Sequence, residues 1–207
     1  MVSIDHVAIA AIDLDRAAAR LLDEVGLASV PGGRHPRWGT ANRIVLLGDT
    51  YLELITVEDE MAATASVFGS AVVRAVSDGD RWLTWAVRDD RIDATAARLG
   101  LTVEAGERAR PDGRVLRWRN AGTDDPGRAP ELPFFIEWDG PESIHPGRTR
   151  IDHPSGARGI AWLELDGDPA VLDRWTDGAE LPVRFSQGSG GIRAVVLRTP
   201  NGELVVR

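Results

Sequence analysis

Residues 4–11, Ile-Asp-His-Val-Ala-Ile-Ala-Ala, alternate in character and predict a strand. A helix follows: Asp13 is a natural N-cap, and apolar Leu14, Ala17, Ala18, Leu21, Leu22 and Val25 fall on one stripe. Gly26 ends it, as C-terminal glycines do. Three short strands come next, at 28–30, 44–47 and 51–57, the last two joined through Gly48-Asp49-Thr50. The order is strand, helix, then three strands.

The order then recurs. Strand 82–87 leads into a helix over 91–99, with apolar Ile92, Ala96 and Leu99 closed by Gly100, and strands follow at 102–105, 115–119 and 134–138. A helix near 61–77 joins the two copies, while 120–131 and 139–158 carry no periodicity and read as loops. A third, shorter copy has strand 160–165, helix 169–175, strand 183–185 and a hairpin of 192–198 with 203–206 across Pro200-Asn201-Gly202. The predicted fold is α+β: paired βαβββ units forming a curved mixed sheet, plus a shorter third unit. The expected divisions are 1–58, linker helix 59–80, second unit 81–140, loop 141–158 and C-terminal unit 159–207.

Composition narrows the chemistry. The chain has no cysteine, which removes disulfides, thiol nucleophiles and Cys-bound metals. All 24 basic residues are arginine, so Schiff-base and P-loop lysines are excluded too. With abundant Ala and Gly, this fits a GC-rich bacterial gene. The net charge of −8, with arginines interspersed among acids, argues against nucleic acid as a partner. The five arginines between 108 and 119 read as a solvated hairpin face. No apolar run reaches a membrane span, and the N-terminus lacks the pattern of a secretory signal, so a cytoplasmic, membrane-free protein is expected.

Strand parity selects the candidate site. Val7 and Ile9 belong under the helix, which turns His6 to the concave face. In Tyr51-Leu52-Glu53-Leu54-Ile55, the glutamate is costly unless paired or bound to a cation. Glu137 occupies a comparable fourth strand in the second copy. One histidine and two carboxylates suit a divalent cation. Singly, Glu53 also reads as an arginine-paired carboxylate and His6 as a hydrogen-bonded core histidine. His35, beside Arg34, Trp38 and Asn42 in a Gly/Pro-rich loop, is a candidate general base near neutral pH or a fourth ligand, with a backbone-fixing loop histidine as the alternative. His145 reads as solvated and His153 as structural; of the tryptophans, only Trp38 and Trp85 are expected near a cavity.

The repeated βαβββ units, with His6 in a first strand and Glu53 and Glu137 in fourth strands, resemble the vicinal oxygen chelate superfamily of glyoxalases, bleomycin-resistance proteins and extradiol dioxygenases. The runs 32–43, 51–55, 133–138 and 153–157 look like its glyoxalase-like branch. The resemblance implies a metal on first- and fourth-strand residues, here His6, Glu53 and Glu137, with Mn, Mg, Zn, Ni or Fe as the ion. Thr84 stands where a second histidine would match His6. Arg34, Trp38, Asn42 and Thr84 would then touch substrate, and His35 would act as the base. The implied activity is metal-assisted lyase or isomerase chemistry on a small carbonyl- or acid-bearing metabolite. The alternative is a non-catalytic protein that binds or sequesters a small molecule. Superfamily sites built between chains also allow a homodimer.

Overall fold

The computed structural model describes residues 2–109, 113 and 115–207. The first unit comprises β1 (Ser3–Ala10), α1 (Leu14–Val25), β2 (Val30–His35), β3 (Thr40–Leu46) and β4 (Tyr51–Val57). Two short helices, α2 (Glu60–Thr64) and α3 (Val67–Val76), lead to the second unit: β5 (Arg81–Arg88), α4 (Ile92–Leu99), β6 (Val103–Ala109), β7 (Val115–Ala121) and β8 (Phe134–Asp139). The C-terminal part holds β9 (Ile160–Asp166), α5 (Pro169–Trp175), β10 (Val183–Ser186), β11 (Gly191–Thr199) and β12 (Gly202–Val206).

The first two units form one eight-stranded mixed sheet in the order β2-β3-β4-β1-β5-β8-β7-β6. Each unit pairs its first strand parallel to its own fourth, and the two first strands, β1 and β5, run antiparallel along a central seam. The sheet curls until its outer strands meet: Arg37, just beyond β2, pairs with Glu104 of β6 and lies 3.6 Å from Asp124. Its convex face carries the main core. Val7, Ile9, Leu52, Leu54, Trp85, Val87 and Phe135 pack there against α1, α4 and the C-terminal sheet. On the concave side α3 inserts Phe68 and Val72 against Trp38, Ile55, Trp118, Phe134 and Ile136.

Local signals explain the elements. Asp13 caps α1 by accepting the Arg16 N–H at 2.8 Å, and Gly26 closes it in the left-handed region at φ 66°. The linker predicted as one helix is two, because Ser66 adopts extended backbone and caps α3 through the Gly69 N–H at 3.0 Å. The stretch 32–43, read as a loop, is largely strand. Gly32 and Gly33 lie within β2 because the Arg108 side chain crosses them, its Nη1 and Cγ standing 2.7 and 2.5 Å from where their Cβ atoms would be. The hairpin face between 108 and 119 is described only in part, since residues 110–112 and 114 lie outside the described residues.

The C-terminal part has the element order of a third unit with a different pairing. Its sheet runs β10-β9-β11-β12, so β9 pairs parallel with the strand next in sequence rather than with its fourth. It therefore covers the convex core and adds no third concave face. Among the described residues, no helix is long and apolar enough to cross a membrane.

Candidate functional site

The concave face holds a cavity of about 40 Å³ lined by residues of both units. Strand β4 turns Tyr51, Glu53 and Ile55 into it and sends Leu52 and Leu54 into the convex core. His6 sits opposite Tyr51 in the β1–β4 register, and the two rings stack with centroids 4.5 Å apart. Its Nε2 lies 3.7 Å from Glu53 Oε2. Trp38, Phe68, Trp118, Phe134 and Trp138 wall the rest.

Glu53 is buried yet held. Its Oε1 accepts from Asn42 Nδ2 of β3. Asn42 Oδ1 in turn accepts from the Gly33 N–H at 2.8 Å and from Arg108 Nη1 at 2.9 Å. Arg108 belongs to β6, so the bonds that meet at Asn42 tie Gly33 of β2 and Glu53 of β4 to the outer strand of the second unit through the cavity. Such bonds offset the cost of removing these polar groups from water.

Behind His6 stands Asp5, with no exposure at all. Its Oδ1 accepts from His6 Nδ1 at 2.7 Å. Its Oδ2 accepts from Arg88 Nε, Trp138 Nε1 and His145 Nε2, each at 3.0 Å. His145 Nδ1 accepts the Gly147 N–H, and its Nε2 stands between Asp5 Oδ2 and Arg88 Nη2, the latter 2.9 Å away. Burial alone would raise the Asp5 carboxyl; the hydrogen bonds and charges of His145 and His6 outweigh it and hold the group well below the usual carboxylate range. With Nδ1 donating to Asp5, His6 presents Nε2 to Glu53 and the cavity. Burial, aided by Asp5 and Glu53, pushes the Tyr51 hydroxyl well above its ordinary value.

His35 ends β2 inside the cavity, not in an open loop. Its Nδ1 lies 3.2 Å from Thr40 Oγ1, and its ring meets Trp38 and Trp118. Burial pulls its pKa down to about 4; Glu53 opposes this, and Arg108 and His6 add to it. It is a neutral imidazole at pH 7.

The structure thus brings together His6, Glu53, His35, Trp38 and Asn42. Three other candidates lie elsewhere. Glu137 does not converge with His6 and Glu53: β8 turns Phe134, Ile136 and Trp138 inward, and Glu137 pairs outside with Arg119 at 2.8 Å. The register explains the mismatch. Ala8 faces Glu53, whereas Ala86 faces Phe134, so an apolar ring occupies the place matching Glu53. Thr84 is buried against Arg128 Nη1 at 3.2 Å and does not line the cavity. Arg34 is exposed and bridges to Glu58 at 2.9 Å. Trp85 is core, its Nε1 bonded to Glu131 O. His145 is buried, not solvated, and His153 bridges Ala28 N and Leu46 O. The site also holds residues that parity did not select: Asp5, Arg88, Arg108, Trp138 and His145. For Asp5 the only sequence signal was its place next to His6.

These donors do not fit the divalent ion that the fold implies. Among the described residues no three His, Cys, Asp or Glu side chains group to hold one. His6 and Glu53 form a pair, the expected third ligand faces away, and an arginine enters the same cavity.

A family model described as a glyoxalase-like domain matches residues 4–181. The chain belongs to the glyoxalase-like domain family. That places it in the vicinal oxygen chelate superfamily, whose members commonly use divalent metals. A hypothetical protein from Staphylococcus aureus is similar along nearly the whole chain, with 16% identity, 99% of this chain and 84% of that one covered, and a TM-score of 0.68. Methylmalonyl-CoA epimerase from Mycobacterium tuberculosis covers 66% of the chain and 86% of its own, at 20% identity and a TM-score of 0.46. A Streptomyces coelicolor methylmalonyl-CoA epimerase in complex with 2-nitronate-propionyl-CoA covers 66% and 92%, at 22% identity and 0.46. A search of curated proteins returns no match.

Proposed function

We propose that this glyoxalase-like domain is an enzyme that moves a proton on a small carbonyl-bearing metabolite held in the concave cavity. The observation that carries the reading is the convergence of Asp5, His6 and Glu53: a carboxylate orients an imidazole whose free nitrogen lies 3.7 Å from a second carboxylate. General bases are recognised by such geometry, with the acceptor aimed at an enclosed space and its partner fixed from behind. In the step this arrangement allows, a C–H bond next to the carbonyl breaks. Its electron pair moves to give an enolate, and the proton passes to the His6–Glu53 pair. Return of that proton completes an isomerisation or an exchange. The cavity volume suits a substrate of a few heavy atoms. His35 contributes a neutral imidazole to the wall, as a hydrogen-bond partner for the substrate.

The small size and aromatic walls also favour a second reading, a non-catalytic module that binds such a molecule without turning it over. In both readings the partner is a small molecule rather than nucleic acid, in keeping with the charge of −8, and the setting is cytoplasmic.

Proton exchange in heavy water separates the two. Pyruvate, hydroxyacetone and glycolaldehyde are incubated with the protein in D₂O, and loss of the α-proton NMR signals is followed. Catalysed exchange of at least one compound, abolished in Glu53→Gln and His6→Asn, supports the enzyme. Saturation-transfer contacts without exchange favour the binding module. Neither exchange nor contact with any of the three would overturn both.

A further inference from the structure

We propose that Arg108 is the resident cation of the cavity, holding the substrate oxygen on which negative charge develops, in the role that a divalent metal fills elsewhere in the superfamily. The inference rests on the carbonyl reading above and names its electrophile. Three observations carry it.

The guanidinium is built into the site. Arg108 is 5% exposed and reaches from β6, at one edge of the sheet, to the residues of β2 and β3 at the other. Glycines at 32 and 33 leave the path: any side chain there would meet Arg108 atoms at under 3 Å. Its Nη1 is anchored on Asn42 Oδ1, and the same Asn42 holds Glu53. One amide therefore fixes the cation and the base relative to each other. Such fixed donors stabilise developing charge without reorganising during the reaction.

The charge of Arg108 reaches the same groups. It opposes protonation of His35 and favours ionisation of Tyr51. A guanidinium stays charged at every relevant pH and offers planar, directional donors. A divalent ion between His6 and Glu53 would share a cavity of about 40 Å³ with this charge and be repelled by it.

Finally, no third metal-ligating side chain joins His6 and Glu53 among the described residues, and Glu137 is engaged with Arg119. Together these point to an enolisable carbonyl compound of a few heavy atoms, bound with its oxygen toward Arg108 and its acidic C–H toward Glu53.

Acetohydroxamate is the probe. It is small, gives up its proton to a base to become an enolate-like oxyanion, and also chelates metals, so it reports which cation holds it. Calorimetric titration is run in EDTA and then with added Mn²⁺ or Zn²⁺, on the wild type, Arg108→Met and Arg108→Lys, each checked for folding by circular dichroism. The expected result is binding in EDTA, unchanged by metal, weakened about ten- to a hundredfold in Arg108→Met and partly restored in Arg108→Lys. Should Arg108→Met fail to fold, metal independence in the wild type and the weaker binding of Arg108→Lys carry the test. Binding that requires added metal, or binding in EDTA that is unchanged in the folded variants, would overturn the role of Arg108 while leaving the carbonyl reading intact. Absence of binding under every condition, together with absence of α-proton exchange, would overturn the carbonyl reading itself.

Discussion

Replacing His35 with asparagine tests the electrostatics of the cavity directly. The imidazole is 6% exposed, and burial draws its pKa from 6.5 to about 4. The folded state therefore resists a proton that the unfolded state accepts. This contribution is fully present above pH 6.5 and is lost as pH falls from there toward 4. At pH 5 the unfolded chain carries the proton and the folded chain mostly does not. The gap of about 1.5 units between that pH and the unfolded pKa, at 1.36 kcal/mol per unit, amounts to about 2 kcal/mol. The asparagine of His35→Asn would keep a polar atom near Thr40 Oγ1 and titrate nowhere in this window. Urea unfolding of both proteins at pH 7 and pH 5 is the assay. The wild type should lose about 2 kcal/mol more than His35→Asn between the two. The difference between proteins matters because other groups titrate nearby. The Asp124 carboxyl, raised by burial and by Glu104 to about 6, gains stability as pH falls through that value, and Asp5 loses it at more acid pH. Both are shared by the two proteins and cancel. Parallel losses would refute the claim that His35 is held neutral by burial.

Asp5→Asn leaves Arg88 without its counter-charge and should cost about 3 kcal/mol by denaturant titration, with loss of ligand binding as His6 loses its orientation. Glu137→Gln should change stability by less than about 1 kcal/mol and leave small-molecule binding intact, because its partner Arg119 is largely solvated and the pair lies outside the cavity. Leu52→Ala, emptying a fully buried position on the convex side of β4, should lower stability by about 2–5 kcal/mol without changing proton exchange per folded molecule. Gly33→Ala sets a Cβ 2.5 Å from Arg108 Cγ and 2.6 Å from Ala109 O; it should weaken acetohydroxamate binding more than it lowers the melting temperature.

The paired units were legible because period and punctuation agree. Asp13 and Gly26 bound a helix whose stripe runs through Leu14, Ala17, Ala18 and Leu21, and a second helix, Ile92–Leu99, likewise ends on a left-handed glycine, Gly100. His6 and Glu53 were legible for the same reason, since β1 and β4 keep a strict alternation where they pair. Glu137 was misplaced because the two fourth strands are offset against their first strands, and this register has no signature in either strand alone. The length of β2 was hidden by Pro31, Gly32 and Gly33, which read as loop residues although an arginine from another strand is what requires the glycines. The C-terminal copy repeats the order of elements while pairing β9 with β10, which the order cannot reveal.

Asp5 shows most sharply why site chemistry escapes a parity argument. Alternation sends Asp5 to the face opposite His6, under the helix, where a carboxylate would lack donors. The β1–β5 ladder slips between Ile4 and His6, so two residues of β1 lie across from one step of β5. A bulge of this kind re-aims a side chain. Here it lets adjacent residues engage each other, with Asp5 Oδ1 on His6 Nδ1, while Oδ2 collects Arg88, Trp138 and His145. The donors come from β5, β8 and the loop after β8, so the irregularity in β1 is stable only when the second unit is docked along the seam. The orientation of His6 is therefore a property of the paired units. The same holds for Glu53, whose brace Asn42 is fixed by Arg108 from β6. A single unit has neither the imidazole aimed nor the cation beside the carboxylate. The acid–base pair and its cation come into register only when β1 meets β5 and the outer strands β2 and β6 close around the cavity.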